Sequence, residues 1–320
     1  FSISVGQPLA LVGGRGINSA GQATVNDFAL KLNDDTHVEI EARSLYVQDE
    51  IQLSEKLIAI LGGRYDEFDI EVVNVKSADI RNRKDDEVSP RVGLIYKPQE
   101  NTSIYLSYSE SFLPRSGEQF GNINGDKNQL DPDTFENLEL GIKWNVNEAL
   151  SLSASLFEID KKSPQVADSD PSTLDVIESS IEGFEVQIQG QLNAKWSINA
   201  SYGYLDGEQV NRSGSTGLRP RELPENTISL WTSYQLTPKF GLGLGASYQD
   251  ESFINNSNSA TLPSYTRIDA AAYYEVSEDV LLQLHVENVS DRVYFPNSHS
   301  THQASVGEEI NARLSLQWAL

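Results

Sequence analysis

Glu139-Leu140-Gly141-Ile142-Lys143-Trp144-Asn145 decides how this chain folds. Side chains of a strand point alternately to its two faces. Leu140, Ile142 and Trp144 therefore share one face, and Glu139, Gly141, Lys143 and Asn145 the other. The same beat runs through Ser103 to Ser109, aligning Ile104, Leu106 and Tyr108. It closes the chain as well, with Ala312, Leu314, Leu316, Trp318 and Leu320 set against Asn311, Arg313, Ser315 and Gln317.

Working outward from that segment, the period predicts about 13 full strands. They fall at 37–53, 56–73, 87–97, 102–113, 136–146, 150–160, 180–192, 196–206, 226–237, 240–250, 264–277, 280–290 and 308–320, with a partial strand over Phe1 to Leu9. The connections sort into two classes. One is tight: Ser54-Glu55, Pro98 to Asn101, Asn147 to Ala149, Asn193 to Lys195, Thr237 to Lys239 and Ser277 to Asp279. The other is long and rich in Gly, Asn, Asp, Ser and Pro, at 10–36, 74–86, 114–135, 161–179, 207–225, 251–263 and 291–307. The classes alternate. Short turns on one side and long loops on the other define an all-β, antiparallel up-and-down transmembrane β-barrel of the bacterial outer membrane, with the C-terminus on the periplasmic side.

The aromatics and the polar face agree with that reading. Tyr96, Trp144, Trp196, Tyr234, Phe240, Tyr274 and Trp318 lie near the tight turns or the chain end, as one interfacial girdle. Tyr108, Phe157, Tyr204, Tyr248 and Tyr294 are expected to form the other. Ser107, Ser109, Lys143, Asn199, Ser201, Gln249, Arg267, Asp269, Gln283, His285, Glu287, Arg313 and Gln317 fall on the polar face. Unpaired in a dry core they would be costly; facing water they imply a wide bore.

Composition is compatible. The 320 residues carry a formal net charge of -23, and the mean hydropathy is -0.40. Only alternate strand residues meet lipid, so a low mean does not exclude a barrel. No apolar run approaches the roughly 20 residues of a spanning helix. The chain has no cysteine, which excludes disulfides and thiolate metal sites. It has no methionine and no signal peptide, as expected of a piece of a longer precursor. The acidic balance argues against nucleic acid as a partner. It suits outer-membrane lipid and a cation-bridged lipopolysaccharide surface, or simply solubility.

An ordered set of motifs then resembles the TonB-dependent outer-membrane receptors, in the style of the catecholate-type ferric-siderophore receptors. It comprises Leu45-Tyr46-Val47-Gln48-Asp49-Glu50-Ile51, Leu61-Gly62-Gly63-Arg64-Tyr65-Asp66, Ser89 to Tyr96, Tyr105 to Phe112, Leu130-Asp131-Pro132-Asp133, Glu136 to Gly141, Gly183-Phe184-Glu185 and Val286 to Tyr294. The resemblance implies a barrel of about 22 strands closed by a plug. It also implies import of a ferric siderophore bound at the outer loops, energised through the TonB complex. Iron would be cargo, not a cofactor. No plug and no TonB box is visible, so residues 1–320 are expected to be the C-terminal portion of the barrel. One departure is the chain end: the family finishes on an aromatic, whereas here Trp318 precedes Leu320 by two residues.

Ligand contacts are expected at Arg115, Gln119, Phe120, Arg219, Arg221, Tyr294 and Phe295, all in long outer loops. Charge and stacking are what a bulky, anionic, aromatic chelate would use. Other clusters read more simply. Asp49, Glu50, Asp66 and Glu67 are taken as bore or rim charge rather than paired catalytic acids. His299 and His302 lack a companion ligand for a metal, His285 is a bore residue and His37 a loop-edge residue. Asp168, Asp170 and Asp175 lack calcium-loop spacing. Gly13-Gly14-Arg15-Gly16 lacks the helix of a phosphate cradle. No nucleophile–base set supports an enzyme. A passive porin of about 14 strands is the alternative transporter, and a soluble β-rich binding protein would require both sheet faces packed.

Overall fold

The computed structural model describes residues 2–6, 10–12, 15–17, 23–25, 29–31, 35–114, 131–167, 170–211, 217–300 and 303–319; side chains are described from 37 onward, outside 115–130, 165–177, 210–216, 299–303 and 320. Fourteen strands make one antiparallel sheet in chain order. They are β1 (Ser2–Gly6), β2 (Asp35–Ser54), β3 (Leu57–Asn74), β4 (Asp79–Gln99), β5 (Thr102–Leu113), β6 (Asp133–Asn147), β7 (Leu150–Ala167), β8 (Asp170–Asn193), β9 (Trp196–Asn211), β10 (Asn226–Thr237), β11 (Phe240–Gln249), β12 (Tyr265–Ser277), β13 (Val280–Glu287) and β14 (Asn311–Trp318). β2 to β14 form a meander of thirteen strands, and β1 adds to its edge by pairing with 35–39 of β2.

Register carries the alternation across the whole sheet. One row runs Tyr96, Ile104, Ile142, Ala154, Val186, Tyr202, Ile228, Tyr248, every residue directly opposite the next. The neighbouring row, one residue along, runs Lys143, Ser153, Gln187, Ser201, Ser229, Ser247, Arg267. The first row is apolar across eight strands and the second polar across seven. A slip of one residue in any strand would exchange the faces. The apolar face is not covered by protein: Leu156 is 59% exposed, Leu314 67% and Leu316 64%. So long a continuous exposed apolar surface marks contact with lipid. Among the described residues the one dry cluster, Val38, Ile70 and Val72 with Ile40 and Phe68, is small and lies at the outer ends of β2 and β3 on the polar side.

Outward charges begin along one line, at Glu67, Asp86, Glu110, Glu136, Glu158, Glu182 and Asp206. That line is roughly eight to ten residues above the tight turns, or ~20–25 Å for strands tilted by ~40°. It matches the upper edge of a hydrocarbon layer. Two ion pairs, Lys84 Nζ to Glu67 at 2.8 Å and Lys162 Nζ to Glu136 at 2.8 Å, sit there. Asp49 is the exception: register puts it on the outward face opposite Leu61, inside the apolar band, and nothing in the structure explains it.

The tight turns fall where the sequence predicts. The outer connections differ. β3 and β4 stay paired up to Asn74 and Asp79, so the expected loop 74–86 shrinks to a turn around Ala78, which has φ 55°. β7 and β8 likewise pair through most of 161–179. The segment 10–36 contains two small hairpins, Ala10–Val12 with Ala29–Lys31 and Arg15–Ile17 with Ala23–Val25. Above the lipid both faces meet water, so strands continue without an alternating signal. Phe157 also departs from the expected outer girdle. It lies on the inward register opposite Gly183, against whose backbone its ring packs.

An outward charge in mid-band is expected to be costly and an inward one cheap. Ile142→Arg should lower stability in lipid vesicles by ~2–4 kcal/mol, whereas Ser153→Arg should stay near the wild type, as read from urea unfolding curves.

Candidate functional site

Three outer connections, described over 217–225, over 250–264 and over 288–300 with 303–310, are built on the bore side of the wall. Leu223 and Pro220 pack onto the bare backbone of Gly207, an inward position of β9 where a Cβ would lie 2.4 Å from Leu223. The last connection is held by inward residues of β12. Asp269 accepts the backbone N–H of Asn288 at 2.9 Å, and Arg267 pairs with Asp269 at 2.9 Å. Asn288 is 1% exposed and its side chain closes a turn, donating to the carbonyls of Arg292 and Glu308 at 2.9 and 3.1 Å while accepting from Arg292 N–H at 3.0 Å. Buried amides that satisfy their bonds in this way fix a loop.

The connections are joined to one another. Asn258 takes both backbone groups of Arg219, accepting its N–H and donating to its carbonyl, each at 2.8 Å. Gln209 Nε2 donates to the same carbonyl at 2.7 Å. Asn256 accepts the N–H of Arg221 at 3.2 Å. Glu222, at φ 56°, accepts the N–H of Ser298 at 2.6 Å. Asp250 accepts from the Tyr248 hydroxyl and, at 2.6 Å, from Asn226 Nδ2. Those bonds, the tyrosine's first, hold its carboxyl below the usual range.

The seven expected ligand residues therefore divide. Arg219 is structural: its guanidinium bonds the Leu205 carbonyl at 3.1 Å and Glu225 at 3.3 Å. Tyr294 is buried at 7% exposure, 4.8 Å between ring centres from Tyr265, and its hydroxyl accepts from Arg267 at 3.5 Å. It belongs to the loop anchor, not to an outer girdle. Arg221 is exposed and Phe295 half-buried, and both stay available at the mouth. Arg115, Gln119 and Phe120 lie outside the described residues, as do His302 and Asp168 and the side chains of His299, Asp170 and Asp175. The organising residues Asn256, Asn258, Asp269 and Asn288 were not legible as such. Each looks like ordinary loop or bore polarity until the chain is folded.

Deeper in the bore, Trp231 lies flat over β11, whose inward residues there are glycines; a Cβ on Gly245 would come within 2.7 Å of the indole. The indole reaches the His285 ring three strands away, with centres 6.1 Å apart and an 18° tilt, and Tyr273 meets that imidazole edge-on at 5.8 Å. His285 is thus a bore residue, as expected. Asp66 takes Arg64 Nε at 2.8 Å and Glu67 pairs outward with Lys84, so these acids are ion-pair partners of the wall. Among the described residues no cluster of three or more His, Cys, Asp or Glu could hold a metal ion.

The TonB-dependent receptor-like β-barrel family matches residues 6–289. A probable TonB-dependent siderophore receptor of Acinetobacter baumannii, PiuA, is 33% identical over 312 residues, covering 90% of this chain and 42% of that protein. The ferrichrome outer membrane transporter/phage receptor of Escherichia coli is 30% identical over 276 residues, covering 83% of this chain and 36% of that protein. The crystal structure of the Acinetobacter siderophore receptor superposes with a TM-score of 0.82 at 32% identity, over 92% of this chain and 46% of the other. The chain thus spans less than half the length of these relatives.

Two outcomes follow. Asn258→Ala is expected to speed amide exchange at Arg219 by roughly tenfold or more, since each lost bond is worth about 1 kcal/mol, while β6 amides stay protected. Acid should release the Asn226–Asp250 contact. A lowered folded pKa gives stability that is present above the unfolded value of about 3.9 and lost as pH falls through the folded one. Protection at Asn226, corrected for intrinsic exchange, should therefore drop below about pH 4 and lose this dependence in Asp250→Asn.

Proposed function

The chain belongs to the TonB-dependent receptor β-barrel family of the bacterial outer membrane, and from that premise we propose that it is the C-terminal portion of the barrel of a receptor that imports a ferric siderophore. The family consists of transporters, not enzymes. In this reading a plug elsewhere in the whole protein closes the bore. The chelate binds at the outer loops, and energy delivered by the TonB complex opens the way inward. The iron is cargo held by the chelate.

The observation that carries the reading is the pairing of a lipid-facing wall with outer loops turned inward and braced over a polar bore. A bore lined by Lys143, Ser153, Gln187, Ser201, Ser229 and Ser247 suits a hydrated solute. Arg221 and Phe295 stand ready at the mouth, and Arg115, Gln119 and Phe120 remain candidates for the same contact. Outside the barrel, the paired charges above the apolar band would meet lipopolysaccharide head groups.

A passive pore would need β1 to close against β14. The strand order leaves these two as opposite ends of the sheet, with β1 only five residues long. A pore would conduct constitutively in a planar bilayer; the receptor reading expects a closed full-length protein.

Deleting the gene is expected to abolish growth on one class of ferric siderophore under iron limitation, with the same loss when TonB is deleted. Unchanged growth on every siderophore would contradict the proposal.

A further inference from the structure

The free side of β2 is only partly filled. β1 pairs with 35–39, and among the described residues no strand lies beside 40–54. That stretch crosses the apolar band, with Leu45, Val47 and Ile51 on its outward face beside Asp49. An open ladder edge does not occur in hydrocarbon, where its N–H and C=O groups would find no partner. A strand of the whole protein therefore lies there.

The register identifies that strand. β1 and β2 are antiparallel, and the numbers of each facing pair total 41: Ser2 faces Glu39 and Gly6 faces Asp35. Chain preceding Ser2 is thus directed down β2, toward the tight turn after Ser54. Continued in the same register, the residue that faces Asp49 is the ninth before Phe1.

Asp49 gives that position its chemistry. It lies five residues from Ser54, roughly 13 Å above the turn, and faces Leu61, six residues short of the charge line at Glu67. So short a side chain cannot snorkel to water from there. On its own wall it meets Val47 and Ile51 along the strand, Leu61 opposite, and Ala59 and Gly63 on the diagonals. The outward cation of β2, Arg43, is six residues higher and bonded to Glu41 at 2.8 Å and Glu67 at 3.4 Å. An ionisable group inside a membrane calls for a partner. The side of Asp49 still open to one is the side of the strand upstream of β1.

We propose that β1 is the outer end of a full membrane strand, and that this strand sets a Lys or Arg against Asp49 as an ion pair on the lipid-facing wall. Facing and diagonal residues both reach across an antiparallel pair. The cation is therefore expected at the ninth residue before Phe1, or at the seventh or eleventh. Such a pair also locks register, since a slip of one residue would turn the cation into the bore and leave the acid alone in lipid. The inference rests on reading the chain as the C-terminal portion of a barrel, and it specifies what the free edge of that portion meets.

The test uses the full-length gene product in lipid vesicles and begins with its sequence. A Lys or Arg at one of the three positions is expected, within a stretch that is apolar at alternate residues. Such a stretch with no cation at any of the three would overturn the ion pair. No such stretch at all would overturn the partial-barrel reading itself. Urea unfolding then reads the pair. Asp49→Asn should raise the unfolding constant roughly tenfold to a hundredfold, because it strands a cation at mid-band. Replacing that cation by Met in the Asp49→Asn protein should restore most of the loss, as a double-mutant cycle requires of a direct contact. Asp49→Asn as stable as the wild type, or more so, would overturn the proposal, since a lone acid only gains by losing its charge. So would a loss that fades as the protein is diluted in lipid, which would place the cation on a second molecule.

Discussion

A backbone amide inside hydrocarbon has no water to bond, so each must find a partner within the protein. Every other feature of this structure follows from that constraint. Strands satisfy it only by pairing side by side, and pairing fixes which residues share a face. Ile142 then stands beside Ile104 and Ala154, while Lys143 stands beside Ser103 and Ser153. The wall needs no conventional core, because lipid replaces it on one side and water on the other. Accordingly the one dry cluster among the described residues sits above the membrane, around Ile70.

The membrane-spanning part was legible in the sequence because lipid imposes a strict period of two. From Phe240 to Gln249 face and boundary come directly from the residues, as do the faces and the start of the strand at Leu150. The signal fades where the environment stops differing between faces. β4 begins at Asp79 rather than near 87, and β8 at Asp170 rather than near 180, because above the lipid line both faces are wet. Tyr294 misleads for a different reason. An aromatic near a strand end suits a girdle, but here it packs on Tyr265 beneath the final loop, a contact set by residues about thirty positions apart.

Function was legible by class and not by residue. Arg219 and Arg221 are two apart, yet one is bonded to Leu205 and Glu225 and the other is exposed. Only folding reveals which cations are already neutralised. The bracing of loops by Asn256, Asn258 and Asn288 is equally invisible beforehand, since asparagine in a loop is commonplace and its partners come from other loops. The result is a mouth whose connections hold each other through backbone bonds, leaving a few side chains for recognition.

The central claim is that residues one position apart meet different solvents. This chain has no cysteine of its own, so single cysteines can be placed and spin-labelled cleanly. Labels along Leu140 to Trp144 and Ser153 to Leu156, in protein reconstituted in vesicles, report collision with lipid-soluble oxygen and with a water-soluble nickel chelate. The account expects oxygen access to peak at 140, 142, 144, 154 and 156, and nickel access to peak at 141, 143, 153 and 155. Two quantities rising and falling together, or showing no period of two, would contradict it.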